Sequence, residues 1–136
     1  MDAEDTLRAH GLRATRPRVA ALDVISEGGH LTVDEIRGRI GERIGTVSVQ
    51  ATYDVLGALT RAQLVRRIEP AGSPTRYEAR TGDNHHHLVC RGCGTVVDVD
   101  CVVGHAPCLA PADAAGFALD EAEVTFWGRC TACQRT

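Results

Sequence analysis

Residues 48–78 read SVQATYDVLGALTRAQLVRRIEPAGSPTRYE, and this stretch decides the fold. Its first half has a helical pattern. Val49, Thr52, Tyr53, Leu56 and Leu59 recur at three- to four-residue spacing and predict a buried stripe. Gln50, Ala51 and Asp54 point elsewhere. The second half turns extended. Leu64–Ile68 reads as a strand, Pro70-Ala71-Gly72-Ser73-Pro74 as a turn, and Thr75–Glu78 as a returning strand. A helix that feeds a β-hairpin is the back half of a winged helix-turn-helix.

The chain upstream supplies the front half. Residues 2–10 read as a short polar helix. Arg16-Pro17-Arg18 opens a second helix, because proline fits a first turn. Val19, Leu22 and Ile25 mark its apolar face, and Gly28-Gly29 ends it. Thr32-Val33-Asp34-Glu35 is a capping-box pattern, continued by Ile36 and Ile40 as a third helix. Gly41 to Gly45 is a turn. The Gly45–Val47 region then becomes the turn of the helix-turn-helix, and Ser48–Thr60 its reading helix. A small α+β domain whose helix contacts another protein fits the same pattern.

Downstream the character changes. Ala79 to Asn84 is polar, and residues 81–84 are expected to be a hinge between domains 1–80 and 85–136. His85–Val89 and Thr95–Cys101 alternate like strands, with Cys93-Gly94 as the turn. Pro107–Gly116 can hold a short helix, and Phe117–Leu119 and Val124–Trp127 are strand candidates. The fold class is α+β: an N-terminal winged helix-turn-helix followed by an α/β unit.

Cys90-Arg91-Gly92-Cys93 and Cys130-Thr131-Ala132-Cys133 staple that second unit. A two-residue spacer lets both sulfurs of a pair face one ion, so Cys90, Cys93, Cys130 and Cys133 form a candidate tetrahedral Zn²⁺ site. Unrelated thiol pairs or redox-active sites are the alternatives. Cys101 and Cys108 lie outside the pattern and read as buried thiols, a redox pair or ligands of a second zinc.

A second set of donors is harder. His85 and His87 share one face of a strand while His86 points away. Asp98 meets them if the hairpin pairs, and Glu78 and His30 lie on the first unit. Two or three nitrogens with two carboxylates suit Zn²⁺, Fe²⁺, Mn²⁺ or Ni²⁺, and five or six positions favour the last three. An ion held by both units would couple occupancy to shape.

Composition narrows the partners. The net charge is −3, so bulk charge does not advertise nucleic-acid binding. Its distribution does more. Residues 1–80 hold 12 arginines against 11 acids, and residues 81–136 hold 3 against 7. Lysine is absent. Arg8, Arg13, Arg16 and Arg18 crowd one short stretch, and guanidinium prefers phosphate. No signal peptide, lipidation motif or long apolar run is visible, so a cytoplasmic location with reduced thiols and no membrane partner is expected.

Certain motifs resemble the ferric uptake regulator family of metal-dependent bacterial repressors over nearly the whole chain. They are Gly11-Leu12-Arg13 with Thr15-Arg16-Pro17-Arg18, and Val47-Ser48-Val49-Gln50-Ala51-Thr52-Tyr53. Arg76-Tyr77-Glu78, the run His85-His86-His87-Leu88-Val89-Cys90 and both cysteine pairs complete the match. Asp83 to His87, Asp98 to Cys101 and Glu121 to Val124 look closest to the actinobacterial branch paired with catalase-peroxidase genes.

The resemblance implies a homodimer joined through the C-terminal unit. Its winged helices would bind a palindromic double-stranded DNA operator, with no small-molecule substrate. It implies structural Zn²⁺ on the four paired cysteines. Regulatory Fe²⁺ or Mn²⁺ would bind His30, Glu78, His85, His87 and Asp98. Ser48, Gln50, Thr52 and Tyr53 would face DNA, with Arg13, Arg16 and Arg18 on phosphates; Tyr53 also has a core reading.

In peroxide-sensing members bound Fe²⁺ reacts with H₂O₂ and a ligand histidine is oxidised, which makes His30 and His85 the candidates here. Glu78 stands where peroxide sensors usually have Asp and iron sensors Glu. Asp54 stands where many members carry Arg or Asn. Of a further metal site seen in some members, Asn84 replaces one histidine, with His86 and Glu123 as substitutes. Iron, zinc or nickel sensing in the same family is the nearest alternative. A thiol-redox or metal-dependent enzyme is the remote one, since no βαβ pattern accompanies either cysteine pair.

Overall fold

The computed structural model describes residues 2–79, 85–100, 111–119 and 123–135, with only the backbone of His85 and Asp100. The chain divides into two compact units, Met1–Thr81 and Gly82–Thr136.

The first unit holds α1 (Ala3–Ala9), α2 (Arg16–Ser26), β1 (Leu31–Thr32), α3 (Val33–Ile44), α4 (Val49–Arg61), β2 (Arg66–Ile68) and β3 (Arg76–Glu78). Each helix starts on an oxygen side chain that satisfies a free N–H. Asp2 caps α1, Thr15 caps α2 ahead of Pro17, and Ser48 caps α4. Thr32 and Glu35 close the capping box of α3 from both sides, at 3.2 and 3.0 Å.

The helices bury one shared core, in which Leu7, Ile25, Ile36, Leu56 and Leu59 are fully enclosed. The buried stripe of α4 differs from the expected one. Thr52, Val55, Leu56, Ala58 and Leu59 are inside, whereas Val49 and Tyr53 are 46% and 50% exposed. Val55 belongs to the stripe, which rotates its centre away from Tyr53; Val49 lies in the first turn, at the end of the core. The core reading of Tyr53 is thereby overturned.

Gln63 ends α4 in the left-handed region, at φ 61. Leu64 N–H reaches back to the Leu59 carbonyl at 3.0 Å, so the strand begins at Arg66 rather than Leu64.

The wing is a three-stranded sheet of order β1-β3-β2. β2 pairs antiparallel with β3, Arg67 opposite Tyr77. β1 pairs on the other edge, Leu31 opposite Tyr77 and Thr32 opposite Arg76. This two-residue strand is too short to leave a periodic pattern, and the sequence reading missed it.

The second unit is a sheet of order β5-β4-β6, with β4 at His85–Cys90, β5 at Val96–Asp100 and β6 at Thr125–Gly128. β4 and β5 form the expected antiparallel hairpin, and β6 joins β4 in parallel. A one-turn helix, α5 (Thr131–Gln134), follows. Phe117–Leu119 is not a strand. Ala115 and Gly116 take positive φ in a turn closed by Phe117 N–H on the Ala114 carbonyl, and Phe117 is 73% exposed. Residues 111–116 form no helix; 107–110, the hinge 81–84, Cys101 and Cys108 lie outside the described residues.

Candidate metal centres

The four paired cysteines converge. Cys90 ends β4, Cys93 follows in the turn, Cys130 caps α5 and Cys133 lies within it. Register sets the meeting: Cys90 sits opposite Gly128 on β6, which delivers Cys130 two residues later. The four sulfurs lie within 4.8 Å of one another, and Cys93 Sγ is 3.7 Å from Cys130 Sγ. Thiolates about 2.3 Å from a tetrahedral zinc sit about 3.8 Å apart, so this spacing fits Zn²⁺.

The local electrostatics point the same way. Backbone N–H groups of Cys130 (3.2 Å) and Cys93 (3.5 Å) aim at Cys90 Sγ and draw its thiol down to about 6. The Thr95 hydroxyl, 3.0 Å from Cys93 Sγ, lowers that thiol too. Cys133 is pushed up to about 12 by its hydrogen bonds to Cys130, Cys90 and Cys93. Four sulfurs this close cannot all ionise without a cation among them, and a divalent ion supplies it. Gly92 makes the closeness possible: a Cβ there would lie 2.8 Å from Cys133 Sγ.

The second donor set is present as two ready pairs, one in each unit. In the first unit, pairing of β1 with β3 carries His30 opposite Glu78, and His30 Nε2 lies 2.8 Å from Glu78 Oε2. The Glu78 side chain is buried, at 2% exposure, and that of His30 is partly buried, at 9%. Arg76 Nη1 donates to the His30 carbonyl at 3.0 Å and fixes that backbone. The sequence reading gave Arg76 no such part.

In the second unit, His87 faces Asp98 across the hairpin, with Nε2 3.4 Å from Oδ1. The side chain of His85 lies outside the described residues. His86 points to the other side, is buried, and its Nδ1 accepts the Val124 N–H at 3.1 Å. That nitrogen holds β6 in place and is not open to a metal.

The outer face of α4 presents Ser48, Gln50, Tyr53 and Asp54. Ser48 Oγ already accepts from Ala51 N–H, and Gln50 Nε2 donates to Asp54 Oδ1 at 2.9 Å. Thr52 does not share that face: it is 1% exposed and its hydroxyl donates to the Ser48 carbonyl. Arg13 and Arg16 are exposed before and at the start of α2, and Arg18 Nη1 donates to the Arg13 carbonyl. Arg37 Nε donates to the Val47 carbonyl at 2.8 Å and ties α3 to the turn before α4, a link no sequence pattern marks.

Residues 9–126 match the family model described as the ferric uptake regulator family. The chain belongs to that family. Its similarity to the transcriptional regulator FurA of Mycobacterium tuberculosis is 54% identity over 132 residues, covering 97% of this chain and 90% of that one. The peroxide operon regulator of Bacillus subtilis is 27% identical over 140 residues, with 98% and 92% covered. The ferric uptake regulator of Helicobacter pylori has the same fold. The TM-score is 0.73 at 20% identity over 98% of this chain and 89% of that one.

Members of the family are metal-dependent transcriptional regulators that bind DNA operators as dimers, not enzymes. The winged helix and the α/β unit correspond to that layout. Among the described residues no helix is long and apolar enough to cross a membrane.

Proposed function

We infer that this protein is a homodimeric repressor whose operator binding requires a regulatory metal and ends when peroxide oxidises a ligand histidine. The observation that carries the metal requirement is the separation of two donor sets. One is an all-sulfur cluster; the other consists of the imidazole–carboxylate pairs His30–Glu78 and His87–Asp98. Sulfur holds Zn²⁺ permanently, while nitrogen and oxygen donors suit exchangeable Fe²⁺ or Mn²⁺.

In this reading Cys90, Cys93, Cys130 and Cys133 bind structural zinc. His30, Glu78, His85, His87 and Asp98 bind the regulatory ion together, which sets the winged helices for a palindromic operator. Gln50, Tyr53 and Ser48 meet bases or backbone in the major groove, and Arg13, Arg16 and Arg18 meet phosphates. Dimer formation is supported by an apolar row across the second sheet. Val97 and Phe126 both register with Leu88, and the three are 50%, 51% and 42% exposed.

Bound Fe²⁺ supplies the one-electron chemistry that peroxide requires. Net two-electron oxidation by H₂O₂, with water as the other product, would add one oxygen to an imidazole carbon of His30 or His85; both ring nitrogens stay, but the oxidised ring is a poor donor, so the ion would leave and the operator would be freed. Catalase and other oxidative-stress genes fit as targets, a reading supported by likeness to the mycobacterial and Bacillus regulators. Glu78 favours a second reading, in which the site reports iron level alone.

One experiment separates them. Anaerobic Fe²⁺-loaded protein on operator DNA is treated with H₂O₂, beside a Mn²⁺-loaded control. Release of DNA with an added oxygen at His30 or His85, in the Fe²⁺ sample only, is the expected result. Unmodified histidines favour iron sensing, and no effect of either metal on DNA affinity overturns both readings.

A further inference from the structure

Residues 82–136 contain three arginines and no lysine, and all three flank the zinc cysteines. Arg91 lies between Cys90 and Cys93, Arg129 directly precedes Cys130, and Arg135 follows Cys133 by two. The unit's seven acids keep at least five residues away in sequence from any of the four cysteines. An otherwise acidic unit therefore places every permanent cation on its metal knuckle.

Two of these side chains have fixed partners. The Arg91 guanidinium lies over the Trp127 ring, 5.5 Å from its centroid, while its own N–H donates to the Gly128 carbonyl at 2.8 Å. Arg129 Nη2 donates to the Cys133 carbonyl, closing over the turn that bears two of the sulfurs, and Gln134 Nε2 donates back to the Arg129 carbonyl at 2.9 Å. Arg135 is exposed at the end of α5.

Four thiolates around Zn²⁺ carry a net charge of about −2. Such a cluster repels further negative charge and gains from nearby cations that cannot lose their protons. We propose that Arg91, Arg129 and Arg135 form a cationic collar that compensates the zinc tetrathiolate and slows loss of the metal. They are positioning residues, not ligands. The inference rests on the reading of the four cysteines as a zinc site. It adds a role for charge that the sulfur geometry does not require.

The test uses full-length, reduced, zinc-loaded protein and a pyridine-based chelator that carries no net charge at the assay pH, so that repulsion or attraction of the chelator does not enter. Zinc transfer is followed with time in the wild type, in R91Q, R129Q, R135Q and the triple variant, and in the matching lysine series. Circular dichroism confirms folding before chelator is added.

Replacement of all three by glutamine is expected to speed zinc release about 10-fold or more, the size usual for residues next to a metal's ligands. The lysine series is expected to stay near the wild-type rate. Glutamine variants that release zinc at the wild-type rate overturn the collar. So does a lysine series as fast as the glutamine series, since packing rather than charge would then be responsible. Wild-type protein without zinc fails earlier, at the assignment of the site itself.

Discussion

A methyl group at position 92 would compete with sulfur for space. Gly92 has an ordinary backbone conformation, yet an added Cβ would lie 2.8 Å from Cys133 Sγ and 3.2 Å from its Cβ. Neither sulfur nor helix start can retreat without opening the cluster. Gly92→Ala is therefore expected to cost about 1–3 kcal/mol, the range for overpacking a filled site. It should also lower zinc content per chain, measured by metal analysis beside a thermal melt. Wild-type zinc and stability in this variant would show that the cluster yields easily.

The convergence of the paired cysteines was legible because a two-residue spacer lets both sulfurs of a pair face one point. Gly92's part was not, since it depends on Cys133 arriving from the other end of the unit. Thr52 shows the opposite failure. It belongs to the motif that resembles the family's reading helix, but its hydroxyl is turned inward to the Ser48 carbonyl.

At the scale of elements, local rules carried the helices and non-local pairing decided the rest. The Thr32–Glu35 box was readable four residues at a time, and it makes a pH prediction. The Thr32 backbone N–H holds the Glu35 carboxyl below its usual 4.5. A depressed carboxyl stabilises the fold at pH above its unfolded value, and that gain is lost as pH falls through the lower folded value. Glu35 is about half exposed, so the effect is small and screened by salt. Thr32→Ala is expected to cost about 1 kcal/mol at neutral pH. Glu35→Gln should also lose stability at neutral pH, and less of it well below the ordinary carboxylate range, where the wild-type carboxyl is protonated as well. Urea melts at both pH values measure this; an equal loss at both would remove Glu35 from the cap.

The end of α4 gives a second expectation. Gln63 takes φ 61, which costs a side-chain-bearing residue about 1 kcal/mol or more. Gln63→Gly should therefore raise stability by up to about 1 kcal/mol, read as a shift in the melting midpoint. A loss would mean that the Gln63 side chain contributes more than its backbone strain costs. β1 escaped the sequence because two residues have no period, although it is the strand that brings His30 opposite Glu78.

At the scale of the whole molecule, the proposed division of labour is between permanent and exchangeable metal. Hydrophobic periodicity disclosed the helices of the first unit and the two hairpins, and spacing disclosed the cysteine pairs, but neither marked β1 or α5. They did not disclose Arg76 behind His30, or His86 as a strut between β4 and β6, because those roles depend on which strand edges meet. The same separation predicts how substitutions sort. Loss of Glu78 should abolish metal-enhanced operator binding while zinc stays, whereas Cys90→Ser should remove zinc and destabilise the second unit.

The most direct measurement is metal analysis of anaerobically purified protein before and after prolonged dialysis against a chelator, with Glu78→Ala alongside. The expected result is one zinc per chain that survives dialysis in both proteins, and a second ion, Fe²⁺ or Mn²⁺, that leaves the wild type and is absent from the variant. Zinc that departs together with the second ion, or is lost on replacing Glu78, would contradict the division into a fixed and a regulatory site.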